Sequence, residues 1–266
     1  MAAEPRGLPD WHDASAYAPL LGAEPAGLAW EWLRRDEAYC AAAGSGSALD
    51  PPGWWATAED PAARDWGLHA FVDPALPAAL ARPVWRREVV GNVLVAAASA
   101  SGPLDDRFDL TRFAAFATFV QGENGAEHWL LAEGTASLRL DIPYGSLLDG
   151  PVHLAYDLSG FAALPGPLAA LERLLGLWRT GRLAHRPGSP RNRRLVQLLR
   201  THDALRAGTA QREIAEVLLS PEAGRARWRS EAPSLRTRAQ RLAAGARTMG
   251  SGGYLRLLRG QPPAGQ

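Results

Sequence analysis

The side chains best suited to recognition chemistry lie between positions 234 and 249. Apolar residues recur there at steps of four and three, which places them on one face of an α-helix: Leu235, Ala239, Leu242, Ala246 and Met249. Arginine and glutamine make paired hydrogen bonds to guanine and adenine edges. We therefore predict base contacts in a DNA major groove from the polar side of this helix, by Arg236, Thr237, Gln240 and Arg241.

The arginines of the C-terminal third are predicted to contact phosphates. All 29 basic residues of the chain are arginines, so a single arginine is weak evidence and the distribution is stronger evidence. Residues 1–178 hold 11 Arg and 23 acidic residues, a net charge of −12, whereas residues 179–266 hold 18 Arg and 5 acidic residues, a net charge of +13. Such segregation favours contact with a polyanion, although a solvated face or an acidic protein partner is the alternative. The phosphate contacts that we predict are Arg193, Arg194, Arg212, Arg227, Arg229 and Arg247.

Two further helices must position this basic helix. The first spans 189–206, with Ser189 as N-cap, Pro190 at the first position and Gly208 as the stop; Leu195, Leu198, Leu199 and Leu205 form its buried face. The second spans 209–219, with Thr209 as N-cap and a stripe formed by Ala210, Ile214, Val217 and Leu218. Three short helices with a basic third one predict a helix-turn-helix-like trihelical domain.

The connection between the last two of these helices is longer than the usual turn of three or four residues. Residues 220–233 therefore predict a helix-turn-helix variant with a loop or a wing. Trp228 would attach that loop to the core, and Arg227 and Arg229 would flank it; an exposed loop with no role is the alternative.

The rest of the chain predicts an α+β protein with an N-terminal helical segment, a central, mostly antiparallel sheet and the trihelical domain. Strands are expected at 92–98, 113–120, 128–132, 137–142 and 151–158, because apolar alternation there is separated by Gly-rich turns. Leu138, Leu140 and Ile142 alternate with polar residues, as in a half-buried strand. A helix is expected at 164–182, with Leu168, Leu171, Leu174, Leu175 and Trp178 on its packing side.

We divide the chain into four regions on this basis: an N-terminal helical segment at 1–41, a loop-rich connector at 42–88, the sheet with its helix at 89–182, and the helix-turn-helix-like domain at 183–260. The linker-like part of the connector runs from 42 to 61 and holds Gly, Ser and Pro clusters. Trp30 and Trp32 cannot face the same way on one helix, so one of them should meet another element.

Catalytic and metal chemistry find no support in the residue spacing. The six histidines lie in separate segments without metal-ligand spacing, and phosphate-loop and nucleophile-elbow motifs are missing. His128 and His153, on predicted strands, are expected to have no catalytic role. We predict no enzyme activity, no catalytic residue, no metal site and no cofactor. Cys40 has no companion and is expected to be a small buried side chain.

The apolar runs are much shorter than the roughly 20 residues of a membrane span. The N-terminus has no signal-peptide pattern. A cytoplasmic protein without a membrane partner is therefore expected.

Two groups of motifs resemble a known family of regulators. Asp10-Trp11, Ala16-Tyr17 and 29–35 are similar to the N-terminal domain of a large group of proteobacterial transcriptional regulators. The segments 212–215, 235–238 and 253–258, with Trp228, are similar to the C-terminal domain of the same group, formerly a domain of unknown function. The resemblance implies a DNA-binding activator similar to the FseA-type activators of integrative and conjugative element excision. It also implies a small antiactivator protein as a partner.

Two hypotheses of different classes follow. In the first, the chain is a transcriptional activator that binds double-stranded DNA, contacts RNA polymerase and pairs as a homodimer on two half-sites. In the second, the chain is a protein-interaction module, an antiactivator or adaptor, whose basic face binds an acidic partner or the acidic half of the chain itself.

Overall fold

A mixed six-stranded sheet forms the middle of the structure, in the order β1-β3-β4-β5-β2-β6. The computed structural model describes residues 7–44, 56–185, 189–221 and 233–260. The neighbours β3–β4, β4–β5 and β2–β6 are antiparallel, and β1–β3 and β2–β5 are parallel. The predicted α+β class is therefore confirmed. The strands are β1 (Ala56–Ala58), β2 (Val93–Ser99), β3 (Ala117–Gln121), β4 (Glu127–Glu133), β5 (Ala136–Ile142) and β6 (His153–Asp157).

Two strand predictions need correction. The first half of the strand predicted at 113–120 belongs to a 3-10 helix, Leu110–Phe116, because the Asp109 carboxylate accepts a hydrogen bond from the Thr111 amide and starts a helical turn. Strand β1 lies within the predicted linker and is parallel to β3. It has only three residues, too few for an alternation pattern.

The sheet is covered on both faces. One face packs on helix α4 (Pro165–Thr180), which buries Ala170, Leu174 and Leu177. Leu168 and Leu175, expected on the packing side of this helix, are each 42% exposed. The other face carries polar side chains of β5, and these are buried too, so the half-buried interpretation of β5 is wrong. Arg139 and Asp141 are 4% and 5% exposed.

The N-terminal segment consists of a 3-10 helix (Ser15–Gly22), α1 (Pro25–Leu33) and α2 (Glu37–Ala43). Both tryptophans of α1 are buried, and they meet different elements, as expected. The Trp30 indole N–H donates to the Leu76 carbonyl at 2.9 Å, and the Trp32 ring lies 5.2 Å from the His202 ring. Cys40 is half-buried rather than buried.

Three helices of the described C-terminal residues match the predicted ones: α5 (Pro190–Arg206), α6 (Gln211–Leu218) and α7 (Pro233–Thr248). A π-helical turn, Met249–Gly253, and α8 (Leu255–Leu258) follow them, and the short α3 (Ala78–Ala81) lies earlier in the chain. Ser189 caps α5 through the Asn192 amide, as expected. The N-cap of α6 is Ala210 and not Thr209, and Val217 of the expected apolar stripe is 40% exposed.

One hydrophobic core joins the two ends of the chain. Tyr17, Trp30 and Trp32 belong to the same cluster as side chains of α5, α7 and α8, among them Leu199 and Leu242. The N-terminal segment and the three-helix unit therefore pack against each other, whereas the domain limits remain a prediction. Within the described ranges, no helix is long and apolar enough to cross a bilayer.

Candidate nucleic-acid interface

Helix α7 packs its apolar side on α5 and α6. Ala239, Leu242, Ala243 and Ala246 are buried in this contact. A Cβ on Gly245 would lie 2.9 Å from Leu198 Cδ2, so the bare glycine lets α5 approach closely. The apolar spacing of the sequence therefore orients the helix as predicted, with its polar side away from the unit.

The polar side of α7 faces outward. Thr237, Gln240 and Arg241 are exposed, and Arg236 is half-buried at the edge of the packed side. The Thr237 hydroxyl donates to the Pro233 carbonyl at 2.9 Å, which leaves its lone pairs as acceptors. Arg236 has a buried Nε without a hydrogen-bond partner in the described part of the structure. Three of the four predicted base-contacting residues therefore share one exposed surface.

The described phosphate-contacting candidates are exposed on the three helices of the unit. Arg193 and Arg194 are exposed on α5, Arg212 is exposed on α6, and Arg247 is exposed near the end of α7. Arg227 and Arg229, together with Trp228, lie outside the described residues.

Arg238 belongs to the same surface, although it is not among the predicted contacts. The Arg238 side chain is exposed. It lies near Arg194, whose pKa is lowered first by its own burial and then by the positive charge of Arg238. The helical spacing could have indicated Arg238, because it lies one turn before Arg241. Its angle, however, falls between the apolar and the polar face of the helix.

Six arginines of α5 and α7 lie outside the ion pairs of the described residues. Among the described residues, none of Arg193, Arg194, Arg236, Arg238, Arg241 and Arg247 forms an ion pair. Several guanidinium groups are therefore held on one packed unit without a carboxylate partner from the part of the chain that the structure describes. Such a surface attracts polyanions. We call these six side chains the basic surface.

The acidic N-terminal half docks on a different part of the unit. Arg35, fully buried, donates to both oxygens of Asp203 on α5, at 2.7 and 2.9 Å, and Tyr17 donates to Asp203 at 2.6 Å. Glu31 accepts from Arg34 and Arg35, each at 2.7 Å. Burial acts to raise the pKa of Glu31, but the charges of Arg35 and Arg34 outweigh it and lower that pKa. These residues form a buried polar joint between α1 and α5.

A second polar cluster lies on the far face of the sheet. Ligand atoms of Glu59, His69 and His128 lie within 4.8 Å of one another, and the two imidazole rings stack at 3.7 Å. Burial, and then the charge of His128, lower the pKa of His69 to about 3, so this ring is neutral at pH 7. The sequence could not reveal the cluster, because its members are far apart in the chain.

The carboxylate of this cluster and the neighbouring Asp141 carboxylate already have cationic partners. Glu59 pairs with Arg86, and Asp141 pairs with Arg139 at 2.9 Å and with the His128 ring at 2.9 Å. A divalent cation would have to compete with both arginines. The geometry is that of an internally paired polar core, and the prediction of no metal site remains a prediction.

Two family models match the ends of the chain. Residues 161–259 match the family described as "T6SS, Transcription factor, DNA binding domain", and residues 10–69 match the family described as "Proteobacterial transcriptional regulator-like domain". The first match covers α4, the three-helix unit and α8. No curated protein matches the chain. The two matches support a DNA-binding transcription regulator, and neither family is described as a family of enzymes.

Proposed function

We propose that this chain is a transcription activator that binds double-stranded DNA through the basic surface. The observation that carries the proposal is the exposed side of α7, whose guanidinium groups lack carboxylate partners among the described residues, on a unit inside the match to a DNA-binding domain. Arg236, Thr237, Gln240 and Arg241 contact base edges in the major groove. Arg193, Arg194, Arg212 and Arg247 contact phosphates, and we assign the same role to Arg227 and Arg229, which lie outside the described residues.

Two classes of target gene are open to such an activator. The resemblance to FseA-type proteins favours excision or transfer genes of an integrative and conjugative element. The description of the matched family names a type VI secretion transcription factor, which favours secretion genes. Mapping the bound sites on the host chromosome decides between these targets.

The experiment begins with selection of bound sequences from random DNA, followed by binding titrations on the selected site. We expect Arg241→Ala to cost about 1–3 kcal/mol of binding and to relax the sequence preference, because a base contact is lost. Arg194→Ala should weaken binding to all sequences alike and reduce the salt slope by about 1. Arg64→Ala, an exposed arginine of the acidic half, is the matched control and should change neither.

Equal losses on specific and random DNA for both variants would contradict the base contacts. Failure of the full chain to bind any DNA would favour the alternative function, an antiactivator or adaptor whose basic surface binds an acidic protein. The guanidinium groups of the basic surface supply the positive charge that would attract that partner. The activator proposal includes homodimerisation on paired half-sites, which sedimentation of the DNA complex tests. It also includes contact with RNA polymerase, which a pull-down with polymerase tests.

A further inference from the structure

A cavity of about 350 Å³ lies between the N-terminal segment and the sheet, away from the basic surface. Its walls come from the Ser15–Gly22 helix, α1, the chain around α3, and the ends of β4 and β5. The volume falls within the range of small-molecule sites. It is too small for a folded partner.

The walls of this cavity consist mainly of small apolar residues. Alanine, proline and glycine dominate, and they leave space that larger side chains would fill; examples are Ala16, Pro19, Ala26, Pro77, Ala79 and Ala132. A wall of this composition favours an apolar body in the ligand.

Most charged groups of the cavity are already compensated. Glu31 pairs with Arg34 at 2.7 Å, Arg139 pairs with Asp141 at 2.9 Å, and Glu24 pairs with Arg173. These groups therefore offer no net charge to a ligand.

Arg82 is the exception among the charged residues of the wall. It is half-buried, it forms no ion pair within the described structure, and its guanidinium makes one long hydrogen bond, 3.4 Å to the Ala115 carbonyl. Burial alone lowers its pKa, with no nearby carboxylate to oppose this effect. A partly desolvated guanidinium without a counter-ion attracts an anion.

The backbone of Arg82 is also unusual. With φ 46° and ψ 53°, it adopts the left-handed conformation at the end of α3, and it is the one non-glycine residue in the described ranges with positive φ. Glycine is the common choice for this conformation at a helix end. Strained residues concentrate at ligand sites, so the strain is a second sign that this position serves binding.

We propose that this cavity binds a small monocarboxylate with an apolar body, such as an aromatic or medium-chain organic acid, whose carboxylate pairs with Arg82. The apolar part of the ligand occupies the space between Ala16, Ala26 and Ala79, and the guanidinium exchanges its long bond to Ala115 for a bidentate pair with the carboxylate. The site is separate from the basic surface, so it stands without the DNA-binding proposal.

The test is calorimetric titration of the full chain with 2-naphthoate, and with 2-naphthylmethanol as a neutral probe of the same shape. We expect Arg82→Gln to raise the Kd for 2-naphthoate at least tenfold and to leave the Kd for the alcohol unchanged. Arg82→Gly, which relieves the backbone strain, should show the same loss and serves if the glutamine variant does not fold. Arg87→Gln is the matched control, because its side chain is 64% exposed and does not line this cavity; it should bind both probes as the unmodified chain does.

Ala16→Phe tests the apolar wall separately. Ala16 is exposed on the 3-10 helix, so the larger ring should fill the cavity without disturbing the core, and both probes should bind at least tenfold more weakly. Lack of 2-naphthoate binding by the unmodified chain would overturn the proposal. So would equal affinity for this probe in the chain with and without Arg82, or unchanged affinity after Ala16→Phe. None of these readouts uses DNA, so a failure here is distinct from a failure of the activator function.

Discussion

The three-helix unit carries arginines on two sides, and the two sides differ in the partners that these arginines have. On the side that meets the N-terminal segment, Arg200 donates to the Trp11 and His12 carbonyls, and Arg206 pairs with Glu37. Arg35, which follows the end of α1, reaches the same side and pairs with Asp203. On the side of α7, the guanidinium groups of the basic surface have no such partners among the described residues.

This difference separates structural arginines from recognition arginines in a chain that has no lysine. A buried pair needs both partners, because its desolvation cost is offset only by a well-aligned counter-ion. An exposed arginine without a carboxylate neighbour contributes little to folding and keeps its charge for a ligand. Partners, rather than residue type, therefore indicate the role of each arginine.

The largest expected effect is the loss of Arg35. Arg35→Met leaves the Asp203 and Glu31 carboxylates buried without their shared cation, so we expect a loss of about 3–5 kcal/mol in the free energy of unfolding. Urea denaturation followed by tryptophan fluorescence measures it. Arg241→Met on the basic surface is the control, and an equal loss there would remove the distinction between the two sides.

A pH dependence should come from the same side of the unit. Burial, and then the positive charges of Arg35 and Arg206 against the opposing Asp203, lower the pKa of His202 to about 4, whereas it is about 6.5 in an unfolded chain. The unfolded state therefore binds more protons between these values, and stability should fall by about 3 kcal/mol as the pH drops from 6.5 to 4. Denaturation midpoints across this range measure the slope. His202→Gln should flatten it, and an unchanged slope in that variant would show that other groups cause the loss.

A smaller effect is expected from Tyr17. Its hydroxyl donates to the charged Asp203 carboxylate at 2.6 Å, and a hydrogen bond to a charged group contributes about 1.5–3 kcal/mol. Tyr17→Phe keeps the ring and should cost about 2 kcal/mol of stability by urea denaturation. The double variant with Arg35→Met should cost less than the sum of the two single losses, because both side chains share Asp203. Strict additivity would argue against a shared joint.

The smallest effect on stability is expected from the basic surface. Arg247→Ala and Arg238→Ala remove exposed side chains without ion-pair partners in the described structure, so each should change the free energy of unfolding by less than about 0.5 kcal/mol. Each should still weaken DNA binding and lower its salt slope. A stability loss above 1 kcal/mol would mean that these arginines have structural partners.

Local patterns predicted the helices better than they predicted the environment of the strands. The apolar spacing of α7 and the Ser189-Pro190 start of α5 depend on a few neighbouring residues, and the structure has both as expected. The alternation of β5 indicated one polar, solvent-facing side, but a distant segment covers it and buries Arg139 and Asp141. A sequence pattern reports polarity, and burial depends on what packs on top.

The polar joint and the cavity could not be predicted for the same reason. Arg35 and Asp203 are 168 residues apart, and each resembles an ordinary surface charge in its own segment. Arg82 stands out only through its backbone conformation and its lack of an ion-pair partner among the described residues, and both are properties of the fold. The basic surface was more accessible to prediction, because most of its residues come from one helix and its charge shows in the composition.

The hydrophobic core that joins the two ends of the structure has a consequence for the order of folding. The core around Trp30 and Trp32 includes side chains of α5 and α8, so these tryptophans are buried only after segments far away in the sequence have packed against α1. Contacts between residues far apart in sequence slow folding, and tryptophans that are exposed during that time favour aggregation. We therefore expect the unfolded chain to expose these tryptophans until α5 and α8 have packed on them, and a variant that lacks α8 to be less soluble.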